Sequence, residues 1–479
     1  MKLKEEEVGW ILWFQTRTVG KMQGPFVFPF WNNLVTRVSL QEPPVFHAML
    51  ALSSLHKKHS IGPLVPGPER DAGELDMFSL RHYSKAINEL LQPRITESNK
   101  AAIRSTLVAC MLFIHIECLC GRLKIANHHL QSGMKLLPRL AKYTGSNREP
   151  TDTWLIGIFT RFNLAALQMG HGYELDAPPI VKVQRPIPWA FESIAQGRDI
   201  IAAILNQVMY LTAHPEEDTV DAQELIRADL AAWFSAYQAC QVTLQGSLGP
   251  LPMLAFGVLQ FHYPMVKMMA DTYRRTPGDE MIFDAYTSDF VAVVSHATHF
   301  VQLVAAVHRS DDPVYKRLTG RINFTSDVGW CPHLYYTALH CRVSSVRWRA
   351  IELLRAVHTR EGIWDSCVAA SAAQEVMLLE GDTPPIPEFI REHPNMFRRA
   401  GGRQLSDIVD NAPHETVPVD PLEVLPPVWR RVYDVQIVLP DVVVVPCKAR
   451  LVCKRHNFVA SCGYEEITRE FEVIGRAGR

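Results

Sequence analysis

The feature that most constrains the fold of this chain is a succession of segments in which apolar residues recur at every third or fourth position. That spacing places apolar side chains on one face of an α-helix, and such a face has to pack against other helices. Connectors rich in proline and glycine separate the segments. The pattern predicts an all-α protein, a multi-helix bundle with helices over residues 45–55, 80–91, 103–120, 125–140, 155–169, 194–211, 222–247, 253–273, 283–307, 334–358 and 363–380.

One predicted helix, over residues 103–120, is apolar on nearly every side and should therefore lie at the centre of the bundle. Its apolar run contains His115 and Glu117 and is shorter than the roughly 20 residues that cross a bilayer. The chain also begins with Glu5, Glu6 and Glu7 where a secretory signal would have an apolar core. We therefore expect an intracellular protein, nuclear or cytoplasmic, with no membrane interaction.

The amino-acid composition of the chain changes near residue 411. Proline and acidic residues dominate 413–427, which is typical of a loop, and segments rich in β-branched residues follow at 432–439, 442–445 and 449–453. They predict a small C-terminal β-hairpin that packs on the helices, since an isolated hairpin is only marginally stable in water. The predicted domains are thus an all-helical body, residues 1–410, and a tail with a proline-rich loop and a β-hairpin, residues 411–479.

Composition excludes several classes of protein. The chain is 47% hydrophobic, and its 49 basic residues nearly balance 50 acidic ones, giving a net charge of −1. Such a chain can bury a large core, and its charge argues against direct nucleic-acid binding, which usually shows a basic patch. Its ten cysteines form no Cys-x-x-Cys pair, so we expect reduced core thiols, no metal site and no cofactor.

Motifs for catalysis are missing, because the sequence contains no Gly-x-Gly-x-x-Gly, no P-loop and no His-Glu-x-x-His. The candidate site residues are polar groups within apolar helices: His115 and Glu117 either are hydrogen-bonded inside the core or line a ligand cavity. Tyr335, Tyr336 and Arg342 are further candidates for a ligand pocket. For Arg342 the alternative is a structural ion pair with an acidic residue nearby in sequence, Glu352 or Asp365.

Several segments, taken in order, are similar to a known family. They are Leu34–His56, Tyr83–Ile87, Leu107–Glu117 with His129–Gly133, Phe191–Arg198, Phe324–Gly329, Pro332–Tyr335, Cys341–Arg342, Arg347–Ile351 and Arg360–Asp365. Together they resemble the fungal-specific transcription factor domain that follows a binuclear zinc cluster in many fungal regulators. The likeness runs from about residue 30 to 440.

This resemblance implies that residues 1–410 form an all-helical regulatory domain, of the kind that holds a hydrophobic ligand in sterol-sensing relatives. It also marks a departure, since such regulators contact DNA through six cysteines near the N-terminus, and none of these precedes Pro43 here. Zinc-binding and DNA-binding residues are therefore not carried over. The expectation is an effector body without its own DNA-reading segment.

Three hypotheses remain open at this stage. The first is a transcription-factor-like regulator that binds a small hydrophobic ligand or a DNA-binding partner regulator. The second is an enzyme of fungal secondary metabolism, a cofactor-free cyclase or pericyclase that uses the same pocket as a shaped cavity for its substrate. The third is a scaffold whose grooves serve only protein contacts.

Overall fold

The structure is a computed structural model, and it describes residues 4–26, 28–61, 68–91, 100–144, 149–170, 183, 185–244, 250–276, 278–309, 323–356, 359–381, 425–457 and 463–474. Helices dominate these residues, as predicted. They are α1 (Glu5–Trp13), α2 (Val19–Gln23), α3 (Val35–Ser39), α4 (Pro43–Ile61), α5 (Pro68–Leu91), α6 (Lys100–Leu119), α7 (Leu123–Thr144), α8 (Pro150–Gln168), α9 (Ile194–Ala213), α10 (Ala222–Leu244), α11 (Pro250–Thr272), α12 (Thr287–Arg309), α13 (Cys331–His340), α14 (Ser344–Ala356) and α15 (Ser366–Leu379).

Helix α6 lies at the centre of the bundle, in agreement with its apolar sequence. Every residue from Leu107 to Leu119 is buried, and the helix packs against α4, α7 and α8. Among the described residues this helix alone is long and apolar enough to span a bilayer, and 83% of its apolar window is buried inside the protein. Such burial is typical of a core helix of a globular domain.

The apolar core has two parts. A large cluster joins α4, α6, α7 and α8 to α13, α14, α15 and the C-terminal strands. A smaller cluster joins α9, α10 and α11 around the fully buried Trp233, whose indole nitrogen donates to the Gly197 carbonyl at 2.7 Å. The junction between the two clusters is where α8, α9, α11 and α13 meet, and it contains the site described below.

The region 334–358 forms two helices where the sequence predicted one. Helix α13 ends at His340, the backbone at Cys341 is extended, and α14 begins at Ser344. The break brings Arg342 to a buried position between two carboxylates. Periodicity alone does not reveal such a break, because apolar residues continue at helical spacing on both sides of it.

A small sheet that the sequence analysis missed links distant parts of the chain. Strand β1 (Asn323–Thr325) pairs in parallel with β2 (Thr359–Glu361), which pairs with β3 (Trp364–Asp365). Asp365 then accepts hydrogen bonds from the backbone nitrogens of Cys367 and Val368 as the N-cap of α15. The helix predicted from residue 363 therefore begins only at Ser366, since its first residues belong to this sheet.

The predicted C-terminal β-hairpin is confirmed, and a third antiparallel strand extends it to a small sheet. The three strands are β4 (Val432–Val438), β5 (Cys447–His456) and β6 (Tyr464–Val473), in that order. The predicted strand at 442–445 is not a strand, and the acid-rich β6 was not predicted. Buried residues Ile437 and Leu451 join the large core cluster. The proposed boundary at residues 410 and 411 lies outside the described residues.

Helices α7 and α8 approach closely at Gly133, where a β-carbon would lie 2.1 Å from Cε1 of Phe159. We expect Gly133→Ala to lower the free energy of unfolding by about 1–3 kcal/mol, because the added methyl group overpacks a buried contact. The matched control is Gly9→Ala on α1, where nothing lies within 4 Å. That change should leave stability equal or raise it by up to about 1 kcal/mol. Urea unfolding followed by circular dichroism measures both, and equal effects would contradict this packing argument.

Candidate functional site

A cleft opens where α8, α9, α11 and the segment leading into α13 meet. The enclosed space of the cleft is about 30 Å³, within about 410 Å³ of empty volume that includes open solvent. Its lining combines apolar side chains with buried charged and imidazole groups. The lining residues are Arg161, Leu164, Gln168, Arg198, Ala202, Leu205, His262, Met265, Asp327, Val328 and His333.

A buried ion cluster forms the floor of this cleft. Asp327 accepts a hydrogen bond from Nε of Arg161 at 2.8 Å and another from Arg198. Asp199, whose side chain is about half exposed, accepts from the same two arginines, with Arg161 Nη1 and Arg198 Nη2 each at 3.0 Å. The two guanidinium groups are therefore matched by two carboxylates, and the cluster carries no net charge.

The ring of Phe28 further stabilises the guanidinium groups, with the Cζ atoms of Arg161 and Arg198 lying 4.8 and 5.2 Å from its centroid. Burial alone would raise the pKa of Asp327, but the charges of the two arginines outweigh burial and hold that pKa below its ordinary value. Asp327 is thus ionised at neutral pH and binds α8 and α9 to the segment before α13.

Hydrogen bonds fix the backbone that carries Asp327. The Thr325 hydroxyl, at the end of β1, donates to the Asp327 carbonyl at 2.8 Å. Next to it, the Ser326 nitrogen donates to the Met22 carbonyl at 2.8 Å, and its hydroxyl accepts from Trp31 Nε1 at 2.9 Å. The loop is therefore attached to the sheet on one side and to the N-terminal helices on the other.

A buried carboxylate sets the start of α13. Glu361, in β2, accepts hydrogen bonds from the backbone nitrogens of Gly329, Trp330 and Cys331 at 2.9, 3.1 and 3.0 Å. These nitrogens have no partner within the helix, and the Glu361 oxygens satisfy them. Burial raises the pKa of Glu361 to about 7, although the three backbone hydrogen bonds favour its charged form. Glu361 thereby fixes the first turn of α13, which places His333 in the cleft.

The rings of His262 and His333, which both line the cleft, pack against each other with their centroids 4.6 Å apart. Burial lowers the pKa of His262, and burial together with His262 lowers that of His333 well below 6.5 despite the opposing effect of the Gly329 backbone. Both rings are therefore neutral at physiological pH. Nδ1 of His262 donates to the Val258 carbonyl at 2.9 Å. His333 is 1% exposed, and its ring makes only a weak hydrogen bond, to the Gly329 carbonyl one turn back along the chain.

The structure places the predicted site residue His115 in the middle of the large core. Its Nδ1 donates to the Met111 carbonyl at 2.7 Å, and its ring packs against those of Trp31 and Phe162 at centroid distances of 4.8 and 5.1 Å. Burial lowers the pKa of His115 to about 4, so the ring is neutral. Nε2 has no partner within the described residues.

Glu117 lies two residues further along α6 and is 1% exposed. Nε of Arg122 donates to its carboxylate at 2.5 Å, and the pKa of Tyr83 is raised by burial and by a hydrogen bond to this carboxylate. Glu117 is therefore a paired charge that connects α6 to α5 and to the start of α7.

The other three predicted residues lie around α13. Burial raises the pKa of Tyr335, whose hydroxyl has no partner within the described residues, and its ring lies 5.3 Å from that of Trp364. Tyr336 packs on the ring of His340 at 4.4 Å. Arg342 is connected to the same histidine through Glu280, which is hydrogen-bonded to both His340 and Arg342. None of the five predicted residues is among the residues that line the cleft.

Arg342 takes part in a second buried ion cluster. Its Nη2 donates to Glu280 at 3.0 Å and its Nη1 to Glu380 at 2.6 Å. The partners proposed from sequence bind other arginines, since Glu352 pairs with Arg349 and Asp365 with Arg360. Arg342 therefore forms buried ion pairs, but with carboxylates that lie farther away in sequence than the two that were expected.

The residues that line the cleft were not among the predicted site residues, although three of them lie in segments that resemble the family. Arg198 ends the segment Phe191–Arg198, Asp327 lies in Phe324–Gly329, and His333 lies in Pro332–Tyr335. All three segments were selected only for their family resemblance. In the structure Arg198, Asp327 and His333 all line the cleft.

Comparisons with known proteins agree with that resemblance. Residues 27–177 match the fungal specific transcription factor domain, a region that includes α4–α8 and Arg161. A relative from Emericella nidulans, the aspercryptin biosynthesis cluster-specific transcription regulator atnN, is 21% identical over an alignment that covers 76% of this chain and 71% of the relative. No solved structure matches the chain.

Among the described residues, no three His, Cys, Asp or Glu side chains are grouped to hold a metal ion.

Proposed function

We propose that this chain, which carries a fungal specific transcription factor domain over residues 27–177, is the effector-responsive part of a regulator of fungal biosynthetic genes. The observation that carries the proposal is the similarity to a cluster-specific transcription regulator, which extends over 76% of the chain and so well beyond the matched domain. The cleft on the Asp327 cluster is the effector site in this proposal.

The position of the cleft supports this role. Its walls come from both core clusters, and the two arginines on α8 and α9 reach the segment before α13 through one carboxylate. A small molecule bound there contacts four helices at once, so it favours the helix arrangement that fits it best. Regulation then takes place as a population shift between two packings, of which one presents the surface that a partner recognises.

We further propose that the partner is a DNA-binding regulator and that the protein acts in the nucleus. The balanced charge of the chain, 49 basic against 50 acidic residues, supports contact with protein rather than with DNA. In this scheme the ligand controls whether the partner complex forms, and the partner supplies the DNA contacts.

A deletion strain tests the proposed function. We expect transcripts of a group of biosynthetic genes to change at least about tenfold when the gene for this chain is deleted, and to recover when it is restored. Metabolites extracted from the same cultures test the alternative that the protein is an enzyme. Unchanged transcripts together with an accumulated, uncyclised precursor would overturn the regulator proposal in favour of a cyclase.

A further inference from the structure

The C-terminal sheet ends in a long strand at its edge. Strand β6 is the last in the order β4-β5-β6, and among the described residues it pairs with β5 alone. Apart from that pairing, the backbone from Glu465 to Val473 makes no backbone–backbone hydrogen bond within the part of the chain that the structure describes. The outer edge of β6, the edge away from β5, therefore presents N–H and C=O groups that can bind another extended chain.

The inner face of β6 is only partly covered. Phe471 and Val473 are buried on this face. Helix α15 packs against it, and Glu375 of this helix pairs with Arg469 at 3.0 Å. Elsewhere on the same face Ile467 is half-buried and Arg469 is 48% exposed. An apolar side chain on a further strand would cover Ile467.

The outer face of β6 carries three exposed carboxylates, those of Glu466, Glu470 and Glu472. Basic residues of β5 lie opposite them in the register. No ion pair within 4 Å joins the three carboxylates to any residue that the structure describes, and Lys454, which lies opposite Glu466, pairs with Asp434 instead. The negative charge along this edge is thus left for a partner.

Strand β5 shows which side chains β6 accepts beside it. Its residues opposite the three carboxylates are Lys454, Arg450 and Lys448. Between them, on the inner face, Ala449 and Leu451 are buried. A strand presents the same two faces to neighbours on either edge, so the outer edge of β6 favours the same alternation of basic and apolar residues.

A second copy of this chain does not supply such a strand. Two β6 strands paired antiparallel and centred on Thr468 would place Glu466 of one copy opposite Glu470 of the other. Centred on Arg469, they would place Glu466 opposite Glu472, and like charges opposite each other are destabilising. Strand β4, at the other edge of the sheet, contains no basic residue.

We propose that the outer edge of β6 is a docking surface for an extended segment of a partner protein in which Lys or Arg alternates with apolar residues. The segment adds a fourth strand to the sheet, and its basic residues face Glu466, Glu470 and Glu472. This inference rests on the proposed function, because it gives the proposed partner regulator a binding surface. Proteins that bind DNA carry clustered basic residues, which fits such a segment.

A peptide with the β5 sequence of this chain, residues 447–456 with both cysteines replaced by alanine, tests the proposal on the purified full chain. Fluorescence anisotropy of the labelled peptide gives its dissociation constant. The comparison peptide carries Lys448→Gln, Arg450→Gln and Lys454→Gln. We expect the basic peptide to bind about 10- to 100-fold more tightly, the range for three exposed ion pairs.

Methylation of peptide nitrogens separates strand addition from charge attraction alone. In an extended peptide the nitrogens of alternate residues point to opposite edges, so methyl groups on odd or on even positions block one edge each. We expect one methylated version to lose at least about tenfold in affinity, because it cannot hydrogen-bond the outer edge of β6. The other version should bind nearly as tightly as the unmethylated peptide.

A variant of the protein locates the binding surface. Glu470→Gln combined with Glu472→Gln should weaken binding of the basic peptide about 3- to 30-fold, the range for two exposed ion pairs. The matched control combines Glu5→Gln with Glu6→Gln, which removes two exposed carboxylates from α1. The control should bind the peptide as the wild type does. Circular dichroism spectra identify any variant that fails to fold.

Several results would overturn the proposal: equal affinity of the basic and neutral peptides, equal effects of the two methylated versions, or unchanged binding by the β6 variant. A lack of binding by every peptide would also overturn it, because the glutamates would then only keep other strands away from the edge. Peptide binding is measured without any reference to transcription. The docking surface can therefore fail while the transcript result of the deletion strain stands, and the reverse.

Discussion

Replacing Asp327 by asparagine should lower the free energy of unfolding by about 3–5 kcal/mol, the cost of leaving buried charges without their partner. The amide keeps the shape of the side chain but removes the charge that Arg161 and Arg198 share. Both arginines are at most 7% exposed, so water cannot replace the carboxylate. Urea unfolding followed by tryptophan fluorescence measures the loss.

The matched control is Asp199→Asn, which removes a carboxylate from the same two arginines. Its side chain is 52% exposed, and solvent-exposed ion pairs contribute little, so we expect a loss of at most about 1 kcal/mol. Because the pKa of Asp327 lies below its ordinary value of 3.8 in the folded protein, its stabilisation is present above pH 3.8 and is lost as the pH falls through the folded pKa. Equal losses in the two variants would contradict the central role given to Asp327.

Replacing Glu380 by glutamine should have an effect of similar size, about 3–5 kcal/mol. Its carboxylate accepts from Arg342 and Arg347 at 2.6 Å each, and all three side chains are fully buried. It also accepts from the backbone nitrogen of Val432 at 2.7 Å, which holds the start of β4 against α15. The change should therefore weaken both the helical body and the attachment of the C-terminal sheet.

Hydrogen exchange separates these two effects, since loss of the Val432 contact should speed the exchange of β4 amides more than those of α6. The control is Glu375→Gln on the same helix, whose partner Arg469 is 48% exposed. That variant should lose at most about 1 kcal/mol. If Glu380→Gln unfolds at the same urea concentration as Glu375→Gln, the buried cluster does not stabilise the protein as described.

Most of the helices could be predicted from sequence because their signal is local: an apolar face at helical spacing and a proline or glycine at the end. What could not be predicted depends on distant partners. Strand β1 exists because Phe324 pairs with Arg360, and β6 exists because its acidic residues lie opposite the basic residues of β5, for example Glu470 opposite Arg450. Such pairings are decided by tertiary contacts, which leave little trace in either strand alone.

The site residues show the same limit. His115 and Glu117 were selected because a polar residue inside an apolar helix is conspicuous, and both are buried with partners on neighbouring helices or their own. Asp327 and His333 are not conspicuous in sequence, since Asp327 lies in a short polar segment and His333 is a single histidine at the start of an apolar helix. Their importance comes from meeting residues 129 and 71 positions away, Arg198 for Asp327 and His262 for His333.

The most direct test of this account is the transcript profile of strains in which the deleted gene is replaced by the wild type, His333→Leu or His115→Leu form, at equal protein levels. We expect His115→Leu to restore the biosynthetic transcripts as the wild type does. We expect His333→Leu to leave these transcripts at one level whether or not the culture produces the effector. Full restoration and a normal response with His333→Leu would contradict the claim that this cleft controls a transcription regulator.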